Sequence, residues 1–353
     1  MKKIILPAIL VFSLILSGCS INIGSNKTTT KADGGVFKSI TKGSNWIQKP
    51  AIPSNTGKPG SIADRGSTTM VIDPSDNKAI YFGSTEGGMY YSYDAAENWF
   101  PVKAIGDALI KGIAIDPSNK CILYAATANR LLKTVDCSRT WQQTYFDNDL
   151  TVGVTTVAVD SYDSKIVYIG TSRGEIIQST DSGKSWRVLN RFDNNVRKIQ
   201  LAPTDSRLIF VATESKGLFR SVDRGVTWES LQDKLKDFKD NRRFRDLFLS
   251  STQPGFMILA TKYGLLKSIN NGDDWVALEL ITPESEATIN SVITNPTNPQ
   301  EMYYVTNTTF YGSVDGGIKW ASKKLPTSRG GNILLSDPKE PTVLYLSTNA
   351  LKK

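Results

Sequence analysis

The sequence predicts an all-β protein, a seven-bladed β-propeller whose last blade is closed by strands from both ends of the chain. Three observations support this. The seven tryptophans recur at nearly constant intervals, each interval holds four short runs of strand-like composition, and the two chain ends carry complementary halves of one repeat. Repeats of about 45 residues with four strands each are typical of propeller blades.

All seven tryptophans end copies of one octapeptide, at intervals of 53, 42, 45, 42, 47 and 45 residues. The consensus is Ser or Thr, any residue, Asp or Asn, any residue, Gly, two of any, and Trp. The copies read SITKGSNW, SYDAAENW, TVDCSRTW, STDSGKSW, SVDRGVTW, SINNGDDW and SVDGGIKW. Their consensus residues are Trp46; Asp94 and Trp99; Asp136 and Trp141; Asp181, Gly183 and Trp186; Asp223, Gly225 and Trp228; Asn270, Gly272 and Trp275; Asp315, Gly317 and Trp320.

Three strand-like runs precede the octapeptides, as in TTVAVDS, KIVYIGTS and GEIIQS, and the residues after each Trp supply a fourth. β-Branched and aromatic residues favour strands, and the Pro, Asp and Asn between the runs mark turns. Six complete units extend from about Gly66 to Leu325. The chain start then supplies GGVFKS and the strand after Trp46, and the chain end supplies GNILLSDP and TVLYLSTN. These halves complete a seventh blade, which removes an open sheet edge.

The first residues predict export. MKK is followed by an apolar run from Ile4 to Leu16 and then by LSGC, which resembles the lipobox of bacterial lipoproteins. The resemblance implies cleavage before Cys19 and lipidation of its thiol; an ordinary signal peptide is the alternative. We therefore expect a leader at residues 1–19, a flexible polar tether at 20–35 and the propeller at 36–353. The predicted location is a bacterial membrane, on the periplasmic side of the outer membrane or at the cell surface.

The residue composition restricts the chemistry. The chain has no histidine, which excludes Ser-His-Asp and Cys-His catalysis and the common His-based metal sites. With Cys19 lipidated, only Cys121 and Cys137 remain, and no metal or cofactor is predicted. If the turn lies at Thr127–Arg130, Cys121 falls almost opposite Asp136, so a disulfide between Cys121 and Cys137 stays open. Removal of two leader lysines lowers the net charge from +8 to +6.

The octapeptide resembles the Asp-box, or BNR, repeat, and the resemblance covers the chain after the tether. It implies a hairpin between the third and fourth strands of each blade, with the Asp carboxylate accepting hydrogen bonds from turn N–H groups. It also implies Gly at positive φ and Trp packed between sheets. The Asp position holds Thr41 in the first copy and Asn270 in the sixth. The octapeptides are therefore predicted to be structural, not catalytic.

A basic surface is predicted at one mouth of the central channel, where the innermost strands begin. The residue five positions before the turn that ends each innermost strand is always polar: Thr68, Lys111, Thr155, Arg197, Arg245, Asn290 and Asn332. The predicted binding residues on this basic face are Arg65, Lys111, Arg197, Arg242, Arg243, Arg245 and Arg329. Arginine forks suit carboxylates, sulfates and phosphates. The alternative is that each Arg is solvated or paired with an Asp such as Asp193, Asp240 or Asp246.

The longest insertion, Asp233–Asp246, precedes one of these strands, and we expect it to carry a short helix that ends in the Arg cluster. Loops on one face of a propeller commonly carry its function.

The repeat layout and export resemble the photosystem II assembly and stability factor family, whose members are seven-bladed propellers. The resemblance implies a non-catalytic assembly factor that acts through an arginine-rich face. The expected partner is a protein, such as a membrane complex, or an anionic glycan, and not a nucleic acid. The protein itself is expected to be a monomer.

The alternative is a glycoside hydrolase or carbohydrate-binding protein, since Asp-box repeats also occur in sialidases and xyloglucan-cleaving hydrolases. The Arg-Ile-Pro element of sialidases does not occur here. Glycoside hydrolysis requires two carboxyl groups that flank the scissile bond. The candidate acids are in the loops before the innermost strands: Asp64, Asp107, Asp149, Asp193 and Glu286.

Overall fold

The computed structural model describes residues 32–351, which form thirty β-strands. The predicted leader, Cys19 and most of the predicted tether lie outside these residues. The strands are β1 (Val36–Ser39), β2 (Ile47–Gln48), β3 (Ala51–Ile52), β4 (Gly60–Ser61), β5 (Ser67–Ile72), β6 (Ile80–Ser84), β7 (Met89–Ser92), β8 (Phe100–Pro101), β9 (Ile110–Ile115), β10 (Leu123–Thr127), β11 (Arg130–Thr134), β12 (Gln142–Phe146), β13 (Val154–Val159), β14 (Val167–Thr171), β15 (Glu175–Ser179), β16 (Arg187–Arg191), β17 (Val196–Ala202), β18 (Asp205–Thr213), β19 (Leu218–Ser221), β20 (Glu229–Ser230), β21 (Phe244–Leu249), β22 (Met257–Thr261), β23 (Leu265–Ser268), β24 (Val276–Ala277), β25 (Ile289–Asn295), β26 (Asn298–Thr306), β27 (Thr309–Ser313), β28 (Ala321–Lys324), β29 (Gly330–Ser336) and β30 (Leu344–Asn349).

Seven four-stranded antiparallel sheets form the blades, and β3 and β4 form a separate small hairpin. Blades 1 to 6 are β5–β8, β9–β12, β13–β16, β17–β20, β21–β24 and β25–β28, each in chain order from the centre outwards. Their first strands contact one another in a closed ring that also includes β29. The structure is a seven-bladed β-propeller, which confirms the predicted fold class. Residues 32–351 contain no helix.

Blade 7 is built from both ends of the chain, in the strand order β2-β1-β30-β29. Strand β1 pairs antiparallel with β30, with Phe37 opposite Leu346. The prediction that the tether extends to residue 35 is wrong at its end. The Asp33 carboxylate accepts a hydrogen bond of 2.6 Å from the Ser328 backbone N–H, and Gly34 N–H donates to the Ala63 carbonyl at 2.8 Å. These bonds tie the segment before β1 to the neighbouring loops.

The hydrophobic core lies between the flat faces of adjacent blades. The second strand of blades 1, 2, 3 and 5 is buried along its whole length. Between blades 2 and 3, Tyr124 packs with Val157 and Ile169, and each is less than a tenth exposed. Strands buried on both faces are apolar without alternation, which explains the composition of runs such as IVYIGT.

The octapeptide forms a hairpin turn between the third and fourth strands of its blade. In blade 3, the Asp181 carboxylate accepts hydrogen bonds from the backbone N–H groups of Lys184 (2.9 Å) and Ser185 (2.8 Å). The Ser179 hydroxyl accepts one from Gly183 N–H at 2.7 Å. The fourth and fifth residues of each octapeptide have positive φ, which only glycine adopts without cost. The side chains of Ser179 and Asp181 are therefore used within the turn, while the Ser182 carbonyl accepts hydrogen bonds from Tyr124 and Lys133 of blade 2.

The octapeptide tryptophan can join its blade to the preceding one. Trp186 Nε1 donates to the Thr144 carbonyl of blade 2 at 2.8 Å, and Trp99 Nε1 donates to the Lys49 carbonyl at 2.8 Å. A buried indole needs such an acceptor for its N–H. In these two copies the octapeptide thus fastens its blade to the preceding part of the chain, whereas Trp228 and Trp275 donate within their own octapeptides.

The octapeptide carboxylates make stability depend on pH. Hydrogen bonds from the Thr140 and Thr227 side chains and backbone N–H groups lower the pKa values of Asp136 and Asp223 from 3.8 to about 2. Because the folded pKa is the lower one, these groups stabilise the fold above about pH 4, and the contribution is lost as the pH falls towards 2. We expect the melting temperature to fall over this range and to fall less steeply in a D136N/D223N variant. Asn is tolerated, since Asn270 Oδ1 accepts a turn N–H at 3.0 Å. Parallel curves from calorimetry would contradict this role.

Cys121 and Cys137 form a disulfide within blade 2, across a sequence separation of 16 residues. Cys137 N–H also donates to the Cys121 carbonyl at 3.1 Å. Cys137 is the fourth residue of an octapeptide whose glycine position holds Ser138, at a φ of 69°. The disulfide thus holds the turn in a copy that lacks the favourable glycine.

The predicted helix in the insertion between β20 and β21 is wrong. The segment is a series of turns, with N–H groups bonded three residues back, as from Lys234 to Leu231 at 3.1 Å. The Asn241 side-chain amide donates to the carbonyls of Leu235 and Phe238, both at 2.7 Å. It occupies acceptors that a continuing helix would use for its own N–H groups.

Candidate binding site at the channel mouth

Each innermost strand contains a β-bulge, and the bulge coincides with the polar position that the sequence singled out. The bulged residues are Thr68, Lys111, Thr155, Arg197, Arg245 and Asn290, with Asn332 and Ile333 sharing the bulge in blade 7. All seven polar residues line one cavity of about 530 Å³ in the central channel. A bulge leaves one residue out of the ladder and redirects its side chain. The channel therefore has a ring of seven polar side chains at one mouth.

The four neutral members of this ring fasten neighbouring blades. Thr155 Oγ1 donates to the Val196 carbonyl at 2.5 Å. Asn332 Nδ2 donates to the Ser67 carbonyl at 2.9 Å. Thr68 bonds to the Ile110 carbonyl and Asn290 to the Gly331 carbonyl in the same way. Each acceptor directly precedes the bulge of the next blade, so one geometry recurs at four blade junctions.

The three cationic members, Lys111, Arg197 and Arg245, do not act in this way. All three side chains are exposed, and none makes a hydrogen bond or ion pair with residues 32–351. Gly153 leaves room for the Lys111 ammonium, since an added Cβ would lie 2.8 Å from Nζ. The three cations lie on blades 2, 4 and 5 and are available to a ligand.

The carboxylate among the residues that line this cavity is Asp246, and it is engaged within the channel wall. Its Oδ1 accepts from Lys198 Nζ at 2.6 Å, while Oδ2 accepts from the Ser291 hydroxyl at 2.9 Å and from Val292 N–H at 3.0 Å. Asp246 thus neutralises Lys198 and leaves its neighbour Arg245 without an acidic partner. The sequence does not indicate that Asp246 pairs with Lys198 and not with Arg245, because this pairing depends on the register of the strands.

Two of the predicted basic residues belong to the junction of the chain ends. Arg65 Nε lies 3.5 Å from Asp64 Oδ1, and Arg329 Nη2 donates to the Asp64 carbonyl at 2.7 Å. The Arg329 side chain also packs against Gly34. The structure therefore separates these two arginines from the free cations of the ring, because their donors are directed at Asp64 in the loop between β4 and β5.

The other two predicted arginines lie in the insertion before blade 5. Arg242 Nε donates to Gln232 Oε1 at 3.1 Å. Arg243 Nε is 3.9 Å from Asp240 Oδ1, and the side chain is 66% exposed. This weak contact leaves Arg243 able to contribute positive charge beside Arg245.

Within residues 32–351, no helix is long and apolar enough to cross a membrane. In the same part of the chain, no three His, Cys, Asp or Glu side chains are grouped as metal ligands would be.

Comparison with known proteins gives matches only among solved structures; no family model matches, and no curated protein matches. The GH74 xyloglucanase of Xanthomonas campestris is similar over 80% of this chain and 51% of its own, with a TM-score of 0.62 and 18% identity. YCF48 bound to D1 peptide is similar over 82% of this chain and 94% of its own, with a TM-score of 0.63 and 14% identity. YCF48 from Cyanidioschyzon merolae is similar over 84% of this chain and 97% of its own, with a TM-score of 0.61 and 13% identity.

The shared property is the β-propeller fold. The chain spans about half the length of the GH74 enzymes from Xanthomonas campestris and Niastella koreensis, and most of the length of the two YCF48 structures. Identities below 20% establish the fold and leave the function to the residues of the site.

Proposed function

We propose that this protein is a non-catalytic, membrane-tethered binding or assembly factor that captures an acidic protein segment at the mouth of its channel. The observation that carries the proposal is the set of three unpaired cations, Lys111, Arg197 and Arg245, on bulges that face one concave mouth. Guanidinium groups bind carboxylates through two parallel hydrogen bonds, which makes them suited to acidic side chains and chain ends.

The position of the chain start supports a partner at the membrane. Ala32 and Asp33 lie beside Gln48 and Ser328, and Ser328 is in the loop just before β29. The tether therefore joins the propeller on the face where the innermost strands begin. If Cys19 carries the lipid, the twelve residues 20–31 reach at most about 40 Å at 3.3–3.6 Å each. This would keep the mouth close to the outer membrane or cell surface to which the protein is anchored.

The similarity to YCF48 supports a polypeptide ligand. One of the similar structures is a complex with a D1 peptide, and that propeller is almost fully covered by this chain. Photosystem II assembly is the role that the sequence resemblance implies for the family. For this protein, we propose only the shared mode, in which a propeller binds a peptide segment.

The alternative is a glycoside hydrolase, and the GH74 similarity is the observation that favours it. Hydrolysis requires a proton donor, a carboxylic acid whose pKa is raised. Among the described residues, each Asp or Glu with a shifted pKa has it lowered, as for Asp149, whose carboxylate accepts hydrogen bonds from Thr151. The engaged Asp246 is the one acid among the described residues that line the mouth cavity. Binding is therefore the better supported function.

The proposal is tested by chemical cross-linking of the full chain in its native membranes, followed by identification of the captured proteins. We expect a membrane protein with an exposed acidic segment, and we expect its yield to fall as salt rises from about 0.1 M to about 1 M, because salt screens exposed charges. Capture of an anionic glycan instead, or turnover of xyloglucan or sialosides by the purified chain, would contradict a protein-binding function.

A further inference from the structure

The junctions between blades are not equivalent at the channel mouth. After blades 1, 3, 6 and 7, a ring side chain bonds to the next blade. After blades 2, 4 and 5, the corresponding residues are Lys111, Arg197 and Arg245, and no such bond occurs among the described residues. Two of these unfastened junctions are consecutive, on either side of blade 5.

A single carboxylate crosses both of these junctions one layer deeper in the channel. Asp246 on blade 5 pairs with Lys198 of blade 4 and accepts hydrogen bonds from Ser291 and Val292 of blade 6. The mouth layer above it has no equivalent contact. Arg197 and Arg245, which lie in this upper layer on neighbouring blades, have like charges, and like charges repel when no anion lies between them.

We propose that the ligand's anionic group binds between Arg197 and Arg245 and joins blades 4 and 5, in place of the hydrogen bond that the neutral ring residues form elsewhere. This inference rests on the proposed function and adds that partner binding is coupled to the rigidity of the ring. A ligand that binds across a junction binds the closed arrangement best and therefore stabilises it. A carboxylate has two oxygens and can accept from both guanidinium groups at once.

Other blades show which residues at the positions equivalent to Arg197 and Arg245 can fasten a junction without a ligand. Thr155 and Asn290 are neutral donors at the same bulge and bond to the next blade. In the variant R197T/R245N, the side chains could form the missing bonds and the charge repulsion would disappear. The wild-type arginines therefore lower the local stability of the ring and provide a binding site. Residues at functional positions commonly reduce stability in this way.

The test compares wild type, R197T/R245N and a control, K184T/K319N, which makes the same charge change on exposed lysines of the opposite rim. The probe is a hexaglutamate peptide. Without probe, we expect R197T/R245N to melt about 2 °C or more above wild type. With saturating probe, we expect wild type and the control to melt about 5 °C higher than without it, and R197T/R245N to be unchanged.

Hydrogen exchange shows which blade junction the ligand stabilises. On addition of hexaglutamate to wild type, amides of β17 and β21 should become more protected, while those of β13, at the fastened junction after blade 3, should not change. Binding without protection of β17 and β21, or a lower melting temperature for R197T/R245N without probe, would overturn the coupling and leave the proposed function intact. Failure of hexaglutamate to bind wild type would overturn both.

Discussion

Reversal of the two mouth arginines, R197E/R245E, is expected to abolish capture of the acidic partner, with a loss of affinity of at least about 100-fold. Both side chains are exposed and unpaired among the described residues, so their replacement breaks no hydrogen bond or ion pair there. A charge-assisted hydrogen bond contributes roughly 1.5–3 kcal/mol, so the loss of two accounts for about two orders of magnitude or more. The measurement is cross-linking yield in native membranes, with the dissociation constant for hexaglutamate measured on the purified chain.

The matched control is K184E/K319E, which makes an equal change in net charge. Lys184 and Lys319 are exposed residues of octapeptide hairpins, on the face away from the mouth, and their side chains make no bonds with the described residues. This variant should retain most of the capture, since exposed charges beyond about 10 Å are screened at physiological salt. Equal losses in the two variants would mean that net charge alone attracts the partner, and undiminished capture by R197E/R245E would place the site elsewhere.

Replacement of Trp99 by alanine should have the largest effect on stability of any single octapeptide substitution. Trp99 is 0% exposed, lies 5.9 Å from Phe82 between ring centroids, and donates from Nε1 to the Lys49 carbonyl. Its backbone N–H also donates to the Ala51 carbonyl at 2.8 Å. It therefore holds the segment that links the composite blade to blade 1. Loss of a buried Trp side chain costs about 3–5 kcal/mol, measured as the free energy of unfolding in denaturant.

Two further variants separate the contributions of Trp99. W99F keeps an aromatic ring and loses the Nε1 hydrogen bond, so it should cost less than W99A. W228A removes a half-buried indole whose Nε1 donates only within its own octapeptide, to the Gly225 carbonyl at 3.1 Å, and should also cost less. A free energy of unfolding for W99A equal to wild type would show that the octapeptide does not fasten the blades.

The fold followed from the sequence because its signals are local and repeated. Each Trp lies at the same position of its hairpin, so the tryptophan intervals counted the blades, and the unmatched runs at the chain ends predicted the pairing of β1 with β30. The polar ring was also predictable, since Thr68 and Arg197 share one position in equivalent strands.

The features that the sequence did not predict depend on contacts between different parts of the chain. The bulges arise from register between paired strands, which one strand does not specify. The engagement of Arg329 and Asp33 depends on how the chain ends meet. The insertion lacks a helix because the Asn241 side chain takes the carbonyl acceptors that a helix would need. Sequence alone therefore proposed seven basic residues. The structure distinguishes the three that are unpaired in the mouth from Arg65 and Arg329, which contact Asp64, and from Arg242 and Arg243, which lie in the insertion.

The central claim is that the partner binds at the channel mouth, and site-specific photo-cross-linking tests it most directly. A photoreactive residue replaces Leu109, which is 42% exposed and two residues before Lys111, or Val314, which is 73% exposed in the octapeptide hairpin of blade 6 on the opposite rim. In native membranes, position 109 should give a cross-linked membrane protein that disappears in the R197E/R245E background, while position 314 should give none. The same product from position 314, or a product at 109 that survives the arginine reversal, would contradict the account.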